Sequence, residues 1–288
     1  MRFGKILALI DYSEASLQAA EEAALIASKF DSELQLMHIS SIKMSQNLIT
    51  PGIPFFETPE TPEEEYYTKI EELEMVKANL EKRYKVLVTC FEIKGEFINV
   101  IKQHVKNFSV DLIVLGARKR TWLKEFLLED KARSVIRNVD CEVLCVHSES
   151  KTETLKKIVL TVGKSVPKKK IGIAYEIAKK FAARIYLVAL NKTEKKSNDQ
   201  STETLIASYR YLKDISNIPI ECRTVAGKSI ADAALHYAKV VGADLILIDE
   251  GPELDLQSSW NGSIVNHSLV PVLSVQPDHE GSKNRHRA

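Results

Sequence analysis

Lys5–Ser40, "KILALIDYSEASLQAAEEAALIASKFDSELQLMHIS", and Lys157–Lys192, "KIVLTVGKSVPKKKIGIAYEIAKKFAARIYLVALNK", are two versions of one pattern. Each has an apolar β-rich run, a polar turn, an amphipathic helical stretch closing on "SKF" or "KKF", and a second apolar run. The correspondence continues downstream: "VDLIVLG" at Val110 answers "ADLILID" at Ala243, and "CEVLCVH" at Cys141 answers "VPVLSVQ" at Val270. A repeat of this length is a duplicated domain, since solenoid units are far shorter.

Within the first copy, strands are expected near Lys5–Ile10, Leu34–Ile39, Lys85–Phe91, Leu112–Leu115 and Glu142–Val146. Between them, Leu17, Ala20, Ala24 and Ala27 mark one helix face, and Tyr66, Ile70, Leu73, Leu80 and Tyr84 another. Phe97, Ile98, Ile101 and Val105 mark a third helix, and Ala132, Val135 and Ile136 a fourth. Apolar strands alternating with helices imply a parallel sheet covered on both faces. The expected fold class is therefore α/β, as two doubly wound five-stranded parallel-sheet domains. Their expected bounds are 1–150 and 155–277, followed by a polar tail over 278–288, with "SESKTET" (Ser148–Thr154) as the joint.

The chain has 288 residues, 44% of them hydrophobic, and a formal net charge of +1, enough length for two separate cores. Near-neutrality argues against nucleic acid as a partner, and no apolar run is long enough to span a bilayer. The N-terminal run is interrupted by Asp11 and reads as a first strand, not a leader. Cys90, Cys141, Cys145 and Cys222 form no C-x-x-C pair, and three of them lie in strand-like runs. Reduced thiols in a cytoplasmic protein are expected. The seven histidines lack metal-ligand spacing, so no metal is expected.

"ILALIDYSEAS", "VDLIVLG" and "RSVIRNVDCEVLCV", in this order and spacing, resemble the universal stress protein family in its tandem-domain form. The resemblance covers nearly the whole chain outside the tail. It implies a nucleotide-binding α/β fold of the adenine-nucleotide alpha hydrolase-like type. It also implies that the two domains pair through their last strands as an intrachain pseudo-dimer, with a homodimer as a further level. Many members bind ATP through G-x-x-G followed about nine residues later by G-[ST]. Gly116 matches the first glycine, but Lys119 replaces the second, and Glu129-Asp130 replaces G-[ST]. Carboxylates at a helix start disfavour phosphate, whereas an acidic cap satisfies free N–H groups.

The resemblance further places Asp11 against a nucleoside and Ile39 beside the base, while an N-cap role for Asp11 is equally compatible with its position. The candidate nucleotide or anion site is thus Asp11, Ile39 and Gly116 with the cations Arg118, Lys119 and Arg120. In the second copy Gly163 replaces Asp11 and Asp249 replaces Gly116. "GKS" at Gly163–Ser165 lacks the earlier glycine of a P-loop, although it follows a strand and opens a helix. Lys168, Lys169 and Lys170 nearby read as a solvated face. No catalytic constellation is present. The expected function is a non-enzymatic regulatory or interaction protein of the stress response, with degenerate phosphate loops, no required cofactor and unidentified protein partners. ATP or AMP binding is disfavoured. The alternative is an adenine-nucleotide or anion module in the first domain. Trp122, Leu123, Phe126, Leu127 and Leu128 mark the loop as a contact surface.

Overall fold

The structure is a computed structural model that describes residues 3–40, 62–117, 129–150, 154–191, 200–227, 229–249 and 268–276. The first half alternates β1 (Lys5–Ile10), α1 (Glu14–Phe30), β2 (Glu33–Ser40), α2 (Pro62–Tyr84), β3 (Val88–Lys94), α3 (Phe97–Phe108), β4 (Leu112–Ala117), α4 (Glu129–Asn138) and β5 (Glu142–His147). The second half follows with β6 (Lys157–Val162), α5 (Lys168–Phe181), β7 (Arg184–Asn191), α6 (Gln200–Ile215), β8 (Ile220–Ala226), α7 (Ile230–Val241), β9 (Leu245–Asp249) and β10 (Val272–Val275). The ten strands make one sheet in the order β3-β2-β1-β4-β5-β10-β9-β6-β7-β8. Each half has the same doubly wound topology, and every pairing is parallel except that of β5 with β10.

Composition explains the close layering. Ala15, Ala19, Ala20, Ala23, Ala24 and Ala27 of α1 are buried, and these small side chains let the helix sit low over the sheet. Helices α1, α2, α5 and α6 cover one face, and α3, α4 and α7 the other. The third strand begins at Val88, three residues later than its sequence pattern suggests. Lys85 takes a left-handed conformation (φ 58°) and its N–H bonds Glu81 O at 3.1 Å, so Lys85, Val86 and Leu87 form the exit from α2 instead of strand.

The aspartate of "VDLIV" and "ADLIL" has the same duty in both halves. Asp111 Oδ2 accepts N–H bonds from Gly4 (2.7 Å) and Lys5 (3.0 Å), tying the start of β4 to that of β1. Asp244 Oδ2 does the same for Lys156 (2.8 Å) and Lys157 (2.9 Å).

The halves join where Val272, Leu273 and Ser274 face Cys145, Leu144 and Val143 in antiparallel register. Gln276 N–H donates to Glu142 Oε2 at 2.7 Å, and Lys169 Nζ pairs with Glu142 Oε1 at 2.9 Å. Ser150, just after β5, donates through Oγ to Leu269 O at 3.4 Å, fastening the connection between halves to the approach of β10. Leu144 and Leu273 are both buried in a core that runs through the two halves. Leu144→Ala should therefore cost about 2–5 kcal/mol in denaturant unfolding, the range for an enclosed leucine; a loss well under that range would mean the junction is loosely packed.

Candidate ligand site in the first half

In a doubly wound sheet, ligands settle beyond the carboxyl ends of the strands where the winding direction reverses. Here that point lies between β1 and β4, and Asp11 and Gly116 stand on its two sides. The register of Ile10 with His38, and of Leu9 with Leu115, brings Asp11, Ile39 and Gly116 to the ends of three neighbouring strands. Ile39 is half-buried and packs on the core beneath α3 and α4. Arg118, Lys119 and Arg120 lie outside the described residues, as does the apolar run Trp122–Leu128.

The turn leaving β1 is closed by its own hydrogen bonds. Asp11 Oδ1 accepts from the Ser13 N–H at 3.1 Å and from the Ser13 hydroxyl, while its own N–H donates to Ser16 Oγ at 3.2 Å. Ser13 Oγ in turn accepts from the Ser16 N–H at 3.3 Å. The helix N-cap is therefore Ser13, not Asp11; Asp11 braces the cap from two residues upstream. Asp11 itself is exposed. Tyr12 sits between them with φ 59°.

Gly116 has a different reason to be glycine from the one its loop position suggests. A Cβ there would lie 2.5 Å from Ala15 C and Ser16 N, so the backbone that approaches it is the first turn of α1. Gly116→Ala should displace that turn and destabilise the fold by about 1–3 kcal/mol, the usual cost of overpacking. An unchanged thermal midpoint would show that α1 gives way freely.

A polar cluster that the strand pattern only hints at borders the site. His38 Nδ1 lies 2.7 Å from Glu92 Oε2, and Ser40 Oγ donates to Glu92 Oε1 at 2.9 Å. Tyr12 packs on His38, with ring centroids 5.0 Å apart, and its hydroxyl donates to Lys69 O at 2.7 Å. Burial, with Glu92 and Glu72 nearby, raises the Tyr12 pKa, so this hydroxyl is a fixed donor. The cue was polar residues at inward positions of "MHIS" and "CFEIK". Among the described residues no group of three or more His, Cys, Asp or Glu could hold a metal ion.

At the corresponding strand ends of the second half, a lysine from α5 meets the aspartate that stands at the Gly116 position. Lys170 Nζ lies 2.6 Å from Asp249 Oδ2 and 3.0 Å from Thr161 Oγ1, and its side chain is 0% exposed. This overturns the reading of Lys169 and Lys170 as part of a solvated face, since Lys169 is also tied to Glu142, while Lys168 is exposed as expected. The "GKS" turn does not open the helix directly, because α5 starts at Lys168 with Pro167 as its cap residue.

Measured back from Phe30 and Phe181, α5 has 14 residues where α1 has 17, so it lacks the three that make the first turn. That missing turn is what presses on Gly116 in the first half. Its absence leaves room for Asp249 at the same strand position and for Lys170 beside it. Burial lowers the Lys170 pKa and Asp249 opposes the shift.

A profile of the universal stress protein family matches residues 2–147. The chain belongs to the universal stress protein family. Universal stress protein MJ0531 of Methanocaldococcus jannaschii is 29% identical over 155 residues, which are 52% of this chain and 85% of that protein. YxiE of Bacillus subtilis is 30% identical over 147 residues, 50% of this chain and 99% of the relative. A universal stress protein from Archaeoglobus fulgidus matches the whole fold with a TM-score of 0.73 at 15% identity, covering 96% of this chain and 99% of that one. The single-length relatives thus correspond to about half of this chain, as its tandem form requires. Among the described residues no helix is long and apolar enough to cross a membrane.

In this universal stress protein the ion pair should respond unequally to its two deletions. Asp249→Asn strands a buried ammonium and should cost about 3 kcal/mol or more. Lys170→Met should cost less, because Asp249, 46% exposed, can be hydrated. The Asp249→Asn deficit should shrink as pH rises toward the ordinary lysine range. With its folded pKa depressed, Lys170 binds fewer protons in the native state than in the unfolded chain, so stability climbs with pH. Equal losses in the two variants, or a pH-independent deficit in Asp249→Asn, would contradict this assignment.

Proposed function

We propose that this universal stress protein is a non-enzymatic regulatory or interaction protein whose second crevice has been given up as a ligand site and whose first is degenerate for phosphate. The observation that carries the reading is the Lys170–Asp249 pair, an internal cation and anion standing where a ligand's polar group would otherwise enter. Gly116 supports it from the other half, because its freedom is already used by α1. Loss of the phosphate-loop glycines at Lys119 and at Glu129-Asp130 points the same way, as does the helical start of α4 at Glu129. The acting surface is then protein contact, and the required cofactor is none. Four free thiols suit a reducing, cytoplasmic setting. Burial raises all of them, Cys90, Cys141 and Cys145 to about 12 and Cys222 to about 11, so they are poor nucleophiles.

The second reading is an adenine-nucleotide or anion module in the first half. The placement of Asp11, Ile39 and Gly116 on adjacent strand ends favours it. Titration calorimetry with Mg-ATP at low salt separates the two. The interaction-protein reading expects no micromolar binding. Micromolar binding abolished by Lys119→Ala or Asp11→Ala would overturn it in favour of the nucleotide module.

A further inference from the structure

The most anomalous side chain in the molecule is Glu22, in the middle of α1. It is 0% exposed, and among the described residues neither carboxyl oxygen has a hydrogen-bond partner. Buried polar groups without partners are rare enough that each needs a physical reason. Counting back from Phe30 and Phe181, its counterpart in the second half is Ile173, also buried. The duplication has therefore kept an apolar residue at one copy of this position and an ionisable one at the other.

Helix α1 packs on α5 of the second half, and Asp244, just before β9, adds to burial in raising the Glu22 pKa. The neighbouring cations are turned elsewhere. Lys156 and Lys157 give their backbone N–H groups to Asp244 and send their ammonium groups to Phe181 O and Val241 O. On the α2 side, Arg83 and Tyr84 bond Glu21, not Glu22. From α5, Lys180 lies over the Phe30 ring, and Lys169 pairs with Glu142 of β5. An ionised Glu22 would thus be a buried anion near a second anion, with no cation among the described residues directed at it.

We propose that Glu22 is a proton-operated lock between the halves: protonated, it lets α1 seal against the second half, and deprotonated, it drives α1 away from it. Burial, and secondarily Asp244, hold the carboxyl up to about 8 from its ordinary 4.5. An acid whose folded pKa is raised binds more protons native than open. The lock is therefore at full strength below the ordinary carboxylate range, weakens as pH rises, and reaches its floor near pH 8. Acidification tightens the junction and alkalinisation loosens it.

The experiment is hydrogen exchange on the intact chain, followed at α1 and β9 amides from pH 5 to pH 9 and corrected for intrinsic rates. The wild type should open about tenfold more readily per pH unit up to about pH 8 and then level off, while Glu22→Gln, neutral at every pH, should stay flat. Equal slopes in the two proteins would overturn the proposal. Should Glu22→Gln fail to fold, a carboxyl carbon-13 titration of wild-type Glu22 decides: a midpoint near 8 supports the lock, and one near 4.5 contradicts it.

Discussion

The antiparallel pairing of β5 with β10 is the interaction on which the rest of this molecule depends. Three facing residue pairs carry the backbone ladder from one half into the other, and the cores on both faces of the sheet run through the seam. Without it each half would present an apolar edge strand to water, a standing invitation to aggregation. With it the free edges of the ten-stranded sheet are β3 and β8. Those strands carry the exposed Lys94 and Arg223, charges that discourage further strand addition.

Duplication followed by divergence is visible at matched positions. Where backbone geometry must be held, the halves agree: Asp111 and Asp244 tie the same two strand starts with the same pair of bonds. Around the crevice they part. The first half spends its strand-end glycine on contact with the first turn of α1. The second dispenses with that turn and fills the space with Lys170 and Asp249. In this pair the lysine is buried and the aspartate half-exposed, and an ion pair with a buried partner contributes little net stability over an apolar filling. Glu22 and Ile173 are a third divergence, both buried at matched positions of α1 and α5.

Much of this was legible in the chain. The repeat and the alternation of strands and helices follow from apolar periodicity, because burial on two faces leaves a strong local signature, while the pairing of the last strands was implied by the family resemblance. The start of β3 was missed because the left-handed turn at Lys85 is a property of how α2 ends, which hydrophobic pattern does not encode. The burial of Lys170 was missed for a tertiary reason. Three consecutive lysines look solvated until Pro167 is known to delay the helix and Asp249 to stand opposite. The N-cap at Ser13 was within reach, since "DYSEAS" offers two capping residues and only geometry chooses between them. Glu22 gave no warning, as a second glutamate in "AAEEAA" resembles any helix surface.

The central claim is that the seam makes two copies of a domain into one cooperative body. Native-state hydrogen exchange under mild denaturant, resolved to the β5 and β10 amides, tests it most directly. The account predicts that these amides exchange only with the global unfolding that also releases β1 and β6. Exchange of β10 at a distinctly lower free energy, with β1 and β6 opening separately, would contradict it.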